Sequence, residues 1–94
     1  MEEKRARFED LMDFPALTLM RVVGEGAQGG LRVLEGAMAV AAAVSLRPPV
    51  LTGSRASSGG HYVAHHIEVE VADAEALRGL YADLKSVPGV RLVL

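Results

Sequence analysis

Residues 57–71 read Ser57-Ser58-Gly59-Gly60-His61-Tyr62-Val63-Ala64-His65-His66-Ile67-Glu68-Val69-Glu70-Val71. From Val63 onward the odd positions are apolar except His65, while the even positions carry Ala64, His66, Glu68 and Glu70. A period of two places alternate side chains on opposite faces, so this is a β-strand with one face toward a core and one toward water. Ser57 to Gly60 supply a turn at its start. One such strand cannot bury its apolar face alone, so the elements on either side must cover it.

Upstream, Pro15 disfavours helix in the residue before it, and Ala16 to Val23 reads as a second strand. Leu17, Leu19, Arg21 and Val23 lie on one of its faces and Thr18, Met20 and Val22 on the other. Both faces are largely apolar, which predicts a central strand covered at least in part on both sides. Gly24 to Gly30 is a flexible turn, and a helix is expected over 30–44 with Leu31, Leu34, Met38, Ala41 and Ser45 along one stripe. Residues 37–44 are apolar all round, a pattern usually buried on more than one side. Pro48 and Pro49 cannot donate to a sheet ladder, so the strand formed near them belongs at an edge.

Downstream, Asp73 is suited to cap a helix that carries Leu77, Leu80, Tyr81 and Leu84 on one face. Ser86-Val87-Pro88-Gly89 ends it, and Val90 to Leu94 forms a short closing strand with Val90, Leu92 and Leu94 on one face. The order strand, helix, strand, strand, helix, strand predicts an α+β, ferredoxin-like βαββαβ sandwich. It has a four-stranded antiparallel sheet with two helices on one face. The handedness of the crossovers makes the first and third strands central. The domain is expected over residues 14–94, preceded at 1–13 by a tail or short helix in which Phe8, Leu11 and Met12 share helical spacing.

Composition narrows the function. The chain has 94 residues, enough for one domain, with four aromatics, no Trp and no Cys. Absence of Cys removes disulfides, thiolate nucleophiles and Cys-ligated metal. A net charge of -2 argues against nucleic acid and anionic membrane as partners. The longest run free of both charged residues and histidine, residues 36–46, is far short of the roughly 20 residues of a membrane span. The charged N-terminus shows no secretory signal, so a cytoplasmic location is expected.

Five short stretches together resemble the YbeD-like family of small bacterial proteins. They are Asp13-Phe14-Pro15, Arg21-Val22-Val23-Gly24, Ser57-Ser58-Gly59-Gly60-His61-Tyr62, Leu80-Tyr81-Ala82-Asp83-Leu84 and Val90-Arg91-Leu92-Val93-Leu94. The likeness spans nearly all of the chain after the N-terminal tail. The sequence departs from that family where Gly59 replaces a usual lysine and where His65 replaces a small residue. The resemblance implies a ferredoxin-like fold similar to ACT regulatory modules, which bind small ligands, often amino acids, across dimer interfaces. It implies no catalytic residue.

Gly24-Glu25-Gly26-Ala27-Gln28-Gly29 is a literal G-x-G-x-x-G between strand and helix. A dinucleotide site also requires a parallel βαβ unit and an acidic residue about 20 positions later, where this chain has its prolines. The loop reads instead as a flexible helix start whose free N–H groups, at Gly24, Gly26 and Gly29, could meet an anionic ligand. His61 and His65 are separated by roughly 13 Å along a strand, and His66 faces the other way, so no metal site is expected within one chain. His65 is expected near the core edge, hydrogen-bonded. Arg21 is expected to pair with Glu68 or Glu70 across the open sheet face.

These features predict a non-enzymatic regulatory or adaptor module without a cofactor. Ser57, Ser58, His61 and Tyr62 join the three glycines as candidate ligand or partner contacts. Leu17, Leu19, Val23 and Val93 are the candidate interface of a homodimer, placed on the open face of the sheet, with the N-terminal tail as the alternative cover. The alternatives are a small enzyme using His61, His65 or His66 with Glu68, and a purely structural protein–protein interaction domain.

Overall fold

The computed structural model describes residues 12–94. The proposed tail or helix over 1–13 therefore lies outside the described residues, apart from Met12 and Asp13, which are irregular. Met12 and Phe14 lie half-buried against the core.

Four strands and two helices follow in the expected order. They are β1 (Ala16–Glu25), α1 (Leu31–Val44), β2 (Val50–Ala56), β3 (Tyr62–Val71), α2 (Ala74–Lys85) and β4 (Val90–Val93), with one 3-10 turn over Ala27–Gly30 before α1. The strands form one antiparallel sheet in the order β2-β3-β1-β4. β1 and β3 are central, as the crossover rule requires. The α+β, ferredoxin-like βαββαβ sandwich is thus the fold.

Alternation in β3 sorts its side chains as expected. Val63, His65, Ile67, Val69 and Val71 are buried, and the intervening residues face outward. Met20 and Val22 of β1, Val33, Ala37 and Ala41 of α1, and Leu77, Leu80 and Leu84 of α2 complete one core. The Asp73 carboxylate accepts from the Ala76 N–H at 2.8 Å, fixing the start of α2. Gly89, at φ 88°, turns the chain back into β4. The prolines lie just before β2, an edge strand, and not within it.

Four expectations need correction. First, among the described residues β1 is covered on one side only: Leu17 and Leu19 are 59% and 61% exposed, because both helices pack on the opposite face. Second, the buried stripe of α1 is Val33, Ala37 and Ala41, while Leu31 is exposed. Leu34, Met38, Val40 and Val44 are partly buried at the flanks of that stripe, and Ala39, Ala42 and Ala43 stay outside because their methyl groups expose little area. Third, Val93 is a core residue. It pairs with Val22, whereas Leu92 pairs with Val23. Pairing to the core face of β1 carries Val93 inward, so Leu92 is the β4 residue beside Val23 on the open face. Fourth, Arg21 lies opposite His66 and not Glu68, while Glu70 pairs with Arg47 at 3.3 Å.

Leu80 of α2 has no solvent exposure and belongs to the core cluster that the sheet and both helices form. Leu80→Ala should lower unfolding free energy by about 2–5 kcal/mol in urea titration, through lost burial and an incompletely collapsed cavity.

Candidate functional site

The β2–β3 hairpin is built by a short set of local bonds. The Ser57 N–H donates to Tyr62 O at 2.8 Å, the Gly60 N–H to Ser57 O at 2.9 Å, and the Tyr62 N–H to Ser57 Oγ at 3.0 Å. Gly59 and Gly60 take φ values of 85° and 73°, a region L side chains rarely occupy. Ser57 and Tyr62 are thereby fixed at the end of the sheet.

Five residues before Ser57, the register of β2 changes. Leu51 faces Ile67 and Gly53 faces His66, so Thr52 is an extra residue, a β-bulge. The Thr52 hydroxyl donates to His66 O at 3.1 Å. The bulge reverses the facing of everything after it in β2. Ser54 comes opposite His65 on the core side, and Arg55 comes opposite Ala64 on the open side.

The core-side consequence concerns His65, which is 1% exposed. Its Nε2 lies 3.0 Å from the carbonyl of Gly30 and its Nδ1 2.7 Å from Ser54 Oγ. A carbonyl only accepts, so Nε2 carries the hydrogen, and in the neutral ring the Ser54 hydroxyl donates to Nδ1. The expected hydrogen-bonded histidine is therefore fully internal and fully satisfied.

On the open side, a groove of about 360 Å³ runs over the sheet. Ala64 and Val23 form its floor because they are the smallest residues in the middle of the face. Arg55, His66, Arg21 and Tyr62 line it, with Leu92 and Leu94 at the β4 side. Neither Arg21 nor Arg55 makes an ion pair among the described residues. A second, shallower depression continues past Ser57 and Tyr62 to Ser58, His61, Glu25 and Arg91. The Arg91 guanidinium lies 3.9 Å from the Glu25 carboxylate there.

The sequence-predicted residues divide accordingly. Ser57, Tyr62 and Val23 border the groove, and Ser58 and His61 lie in its extension. Leu17 and Leu19 are on the same face, further along β1. The glycine-rich turn lies apart and is largely self-satisfied: the Gly26 N–H donates to His61 O at 2.9 Å and the Gly29 N–H to Gly26 O at 3.0 Å. Gly24 is inside β1, where an added Cβ would stand 2.7 Å from Gly89 O, so it offers no loop contact. The three histidines occupy three places: the hairpin tip, the core and the groove. No group of three metal-ligating side chains occurs among the described residues. His66 and Glu68 share a face but lie in successive rows, opposite Arg21 and Leu19. Arg21, Arg55, Ala64, Leu92 and Leu94 are not among the candidate binding residues read from sequence, and His66 enters there only through the enzyme alternative. Alternation marks Ala64 and His66 as open-face residues; nothing in the sequence reports the bulge that turns Arg55 to the same side.

A family described as a protein of unknown function, DUF493, matches residues 9–94. The chain belongs to that family. Among curated relatives, a UPF0250 protein of Shewanella loihica is 37% identical over 90 residues, covering 94% of this chain and 96% of its own. A second UPF0250 protein, of Shewanella woodyi, is 33% identical with the same coverage. Among solved structures, the ACT domain from GTP pyrophosphokinase of Chlorobium tepidum superposes with a TM-score of 0.57 at 22% identity, covering 83% of this chain and 94% of that one. That likeness speaks to the fold, and it agrees with the βαββαβ order found here. The YbeD-like, ACT-like character read from the five short stretches is thus shown. Among the described residues, no helix is long and apolar enough to cross a membrane.

His65→Leu should lower stability by on the order of 2–3 kcal/mol, since it strands the Gly30 carbonyl and the Ser54 hydroxyl without partners. Ser54→Ala alone should cost less, and adding it to His65→Leu should cost little more, measured as a double-mutant cycle in denaturant.

Proposed function

We propose that this DUF493 member is a non-catalytic regulatory or adaptor module that works by binding across its open sheet face. The observation that carries this reading is the groove in which Arg21, Arg55 and His66 surround the small floor of Ala64 and Val23. Two guanidiniums with no ion-pair partner among the described residues favour a carboxylate, which they can hold by charge-assisted, two-point hydrogen bonds. Leu92, Leu94 and Val23 favour an apolar group next to that charge. The preferred ligand chemistry is therefore a carboxylate on a short apolar body, free or carried by a protein chain.

Enzymatic function is the weaker reading. A nucleophile or general base must lie within hydrogen-bond reach of its partner. His65 spends both ring nitrogens inside the core, and His61 and His66 lie apart. Glu70 is already held by Arg47 at 3.3 Å, and Glu68 lies a row away from His66 on the open face. Action in the cytoplasm fits the absence of Cys. The hairpin residues Ser57, Ser58, His61 and Tyr62 form the rim of the binding surface in this reading. The glycine-rich turn supports the rim from below through the Gly26–His61 bond.

Thermal unfolding at low micromolar protein should test the ligand class, with N-acetyl-L-leucine, citrate and inorganic phosphate as probes. Each kcal/mol of binding linkage raises Tm by about 4–8 °C in a chain of this size. N-acetyl-L-leucine should raise Tm most, and the Arg21→Ala/Arg55→Ala variant should lose the shift. No shift with any carboxylate, or a shift that survives in the double variant, would remove this reading.

A further inference from the structure

The charges on the open face are segregated along the strands. Arg55, Arg21 and His66 occupy the half nearest the β2–β3 hairpin. Glu68 and Glu70 occupy the other half of β3, beside Leu19 and Leu17 of β1. Large apolar side chains run through both halves: Leu17, Leu19, Val50, Leu92 and Leu94 are all substantially exposed. Exposed leucines at the centre of a sheet, ringed by charge, mark a contact surface and not a solvated one.

Two such faces are complementary to each other. A two-fold axis in the plane of the interface, perpendicular to the strands, lays one sheet on another with their strands reversed. The cationic half of each protomer then stands over the anionic half of its partner, while each strand keeps its place across the sheet. Successive rows of side chains on one face are about 7 Å apart along a strand. With the axis between the Arg21–His66 row and the Leu19–Glu68 row, each protomer's His66 faces its partner's Glu68, while Arg21 faces Leu19 with that Glu68 beside it on the neighbouring strand. The Arg55 row then faces the row of Leu17 and Glu70. Leu17 meets the partner's Val23, and the leucines close the middle. The opposite choice, with the axis parallel to the strands, would lay the hairpin half of each face on the partner's hairpin half, with Arg21 over His66, and Glu68 and Glu70 on the half that carries the partner's own glutamates.

We propose that the occupant of the open face is a second copy of this chain, packed face to face with reversed strands, with Glu68 as the carboxylate that each groove receives. The proposal rests on the binding reading of the groove and names its partner. The available face measures roughly 19 Å across four strands and about 25–30 Å along them. In projection that is on the order of 500 Å², close to the lower bound for a specific interface of about 600 Å² per partner. The expected dimer is therefore weak and salt-sensitive, since the interface is small and charge sets its register. Arg47 already holds one oxygen of Glu70 within its own protomer, which leaves Glu68 the principal partner for the groove.

Size-exclusion chromatography with light scattering, at about 200 μM full-length protein and low salt, should give a mass near twice 10.0 kDa. At ~1 M NaCl, where the Debye length is about 3 Å, it should return to the monomer value. Arg21→Glu/Arg55→Glu and Glu68→Arg/Glu70→Arg should each be monomeric. Circular dichroism should confirm that both variants are folded. Their equimolar mixture should dimerise again, because every reversed pair is then complementary. Wild type that stays monomeric at this concentration would overturn the proposal and point to other cover for the face, such as residues 1–11 or a different protein. A dimer that both charge-reversal variants retain would overturn it too. N-acetyl-L-leucine titration of Glu68→Arg/Glu70→Arg, in which the arginines are intact, separates the two failures. Binding there with no wild-type dimer leaves the groove reading standing. No binding there, with a dimer that forms and obeys the charge reversal, removes the free-ligand reading alone.

Discussion

The buried ring of His65 ties the start of α1 to β2 and β3, adding side-chain bonds to the backbone pairing that already joins those two strands. One nitrogen takes the Gly30 carbonyl at the start of α1, the other takes Ser54 on the edge strand, and the ring belongs to the central strand β3. A polar ring with no exposure is tolerated only when both nitrogens are satisfied, and here each has one partner. Those partners constrain the rest. Gly30 must lack a side chain, since a Cβ there would stand 2.7 Å from His65 Nε2, and it also sits at φ 74°. Ser54 must face inward, which requires the bulge at Thr52. Once Ser54 faces inward, Arg55 must face outward.

The same chain of constraints builds the candidate site. Arg55 borders the groove because it follows Ser54 by one residue, so an internal hydrogen bond and a surface charge are set by one shift in register. The hairpin turn adds Ser57 and Tyr62 at fixed positions, through glycines that accept positive φ. Across the sheet, β1 contributes Arg21 and Val23 by alternation, and β4 contributes Leu92. The site is therefore a property of the whole sheet surface. No single loop carries it, which is how it differs from the glycine-rich turn that first draws attention in the sequence.

Among the described residues, the sheet has cover on one face only. Two helices are enough to cover one face of a four-stranded sheet, and both crossovers place them on the same side. The other face keeps leucines on a central strand and two arginines with no ion pair among the described residues. Neither feature adds to the stability of the isolated domain. Both have an explanation if the face serves recognition, and DUF493 membership with an ACT-like fold is compatible with such a module.

The sequence by itself determined the element order, the central position of β1 and β3, the capping of α2 by Asp73 and the inward face of β3. Each of these rests on local chemistry or on short periodicity, which a single chain displays openly. It also placed Arg21 and His66 on one face, because alternation persists through both strands. Only the tertiary structure decided which face of α1 is buried, since a helix lined all round with alanine has no preferred side until a sheet is set against it. Only the structure moved Val93 inward and Leu92 outward, because a four-residue strand takes its facing from its neighbour. Above all, the placement of Arg55 depended on one extra residue in β2. A strand's facing has a period of two, so a single inserted residue inverts every side chain beyond it, and that insertion is stabilised by His65 and Ser54 meeting across strands.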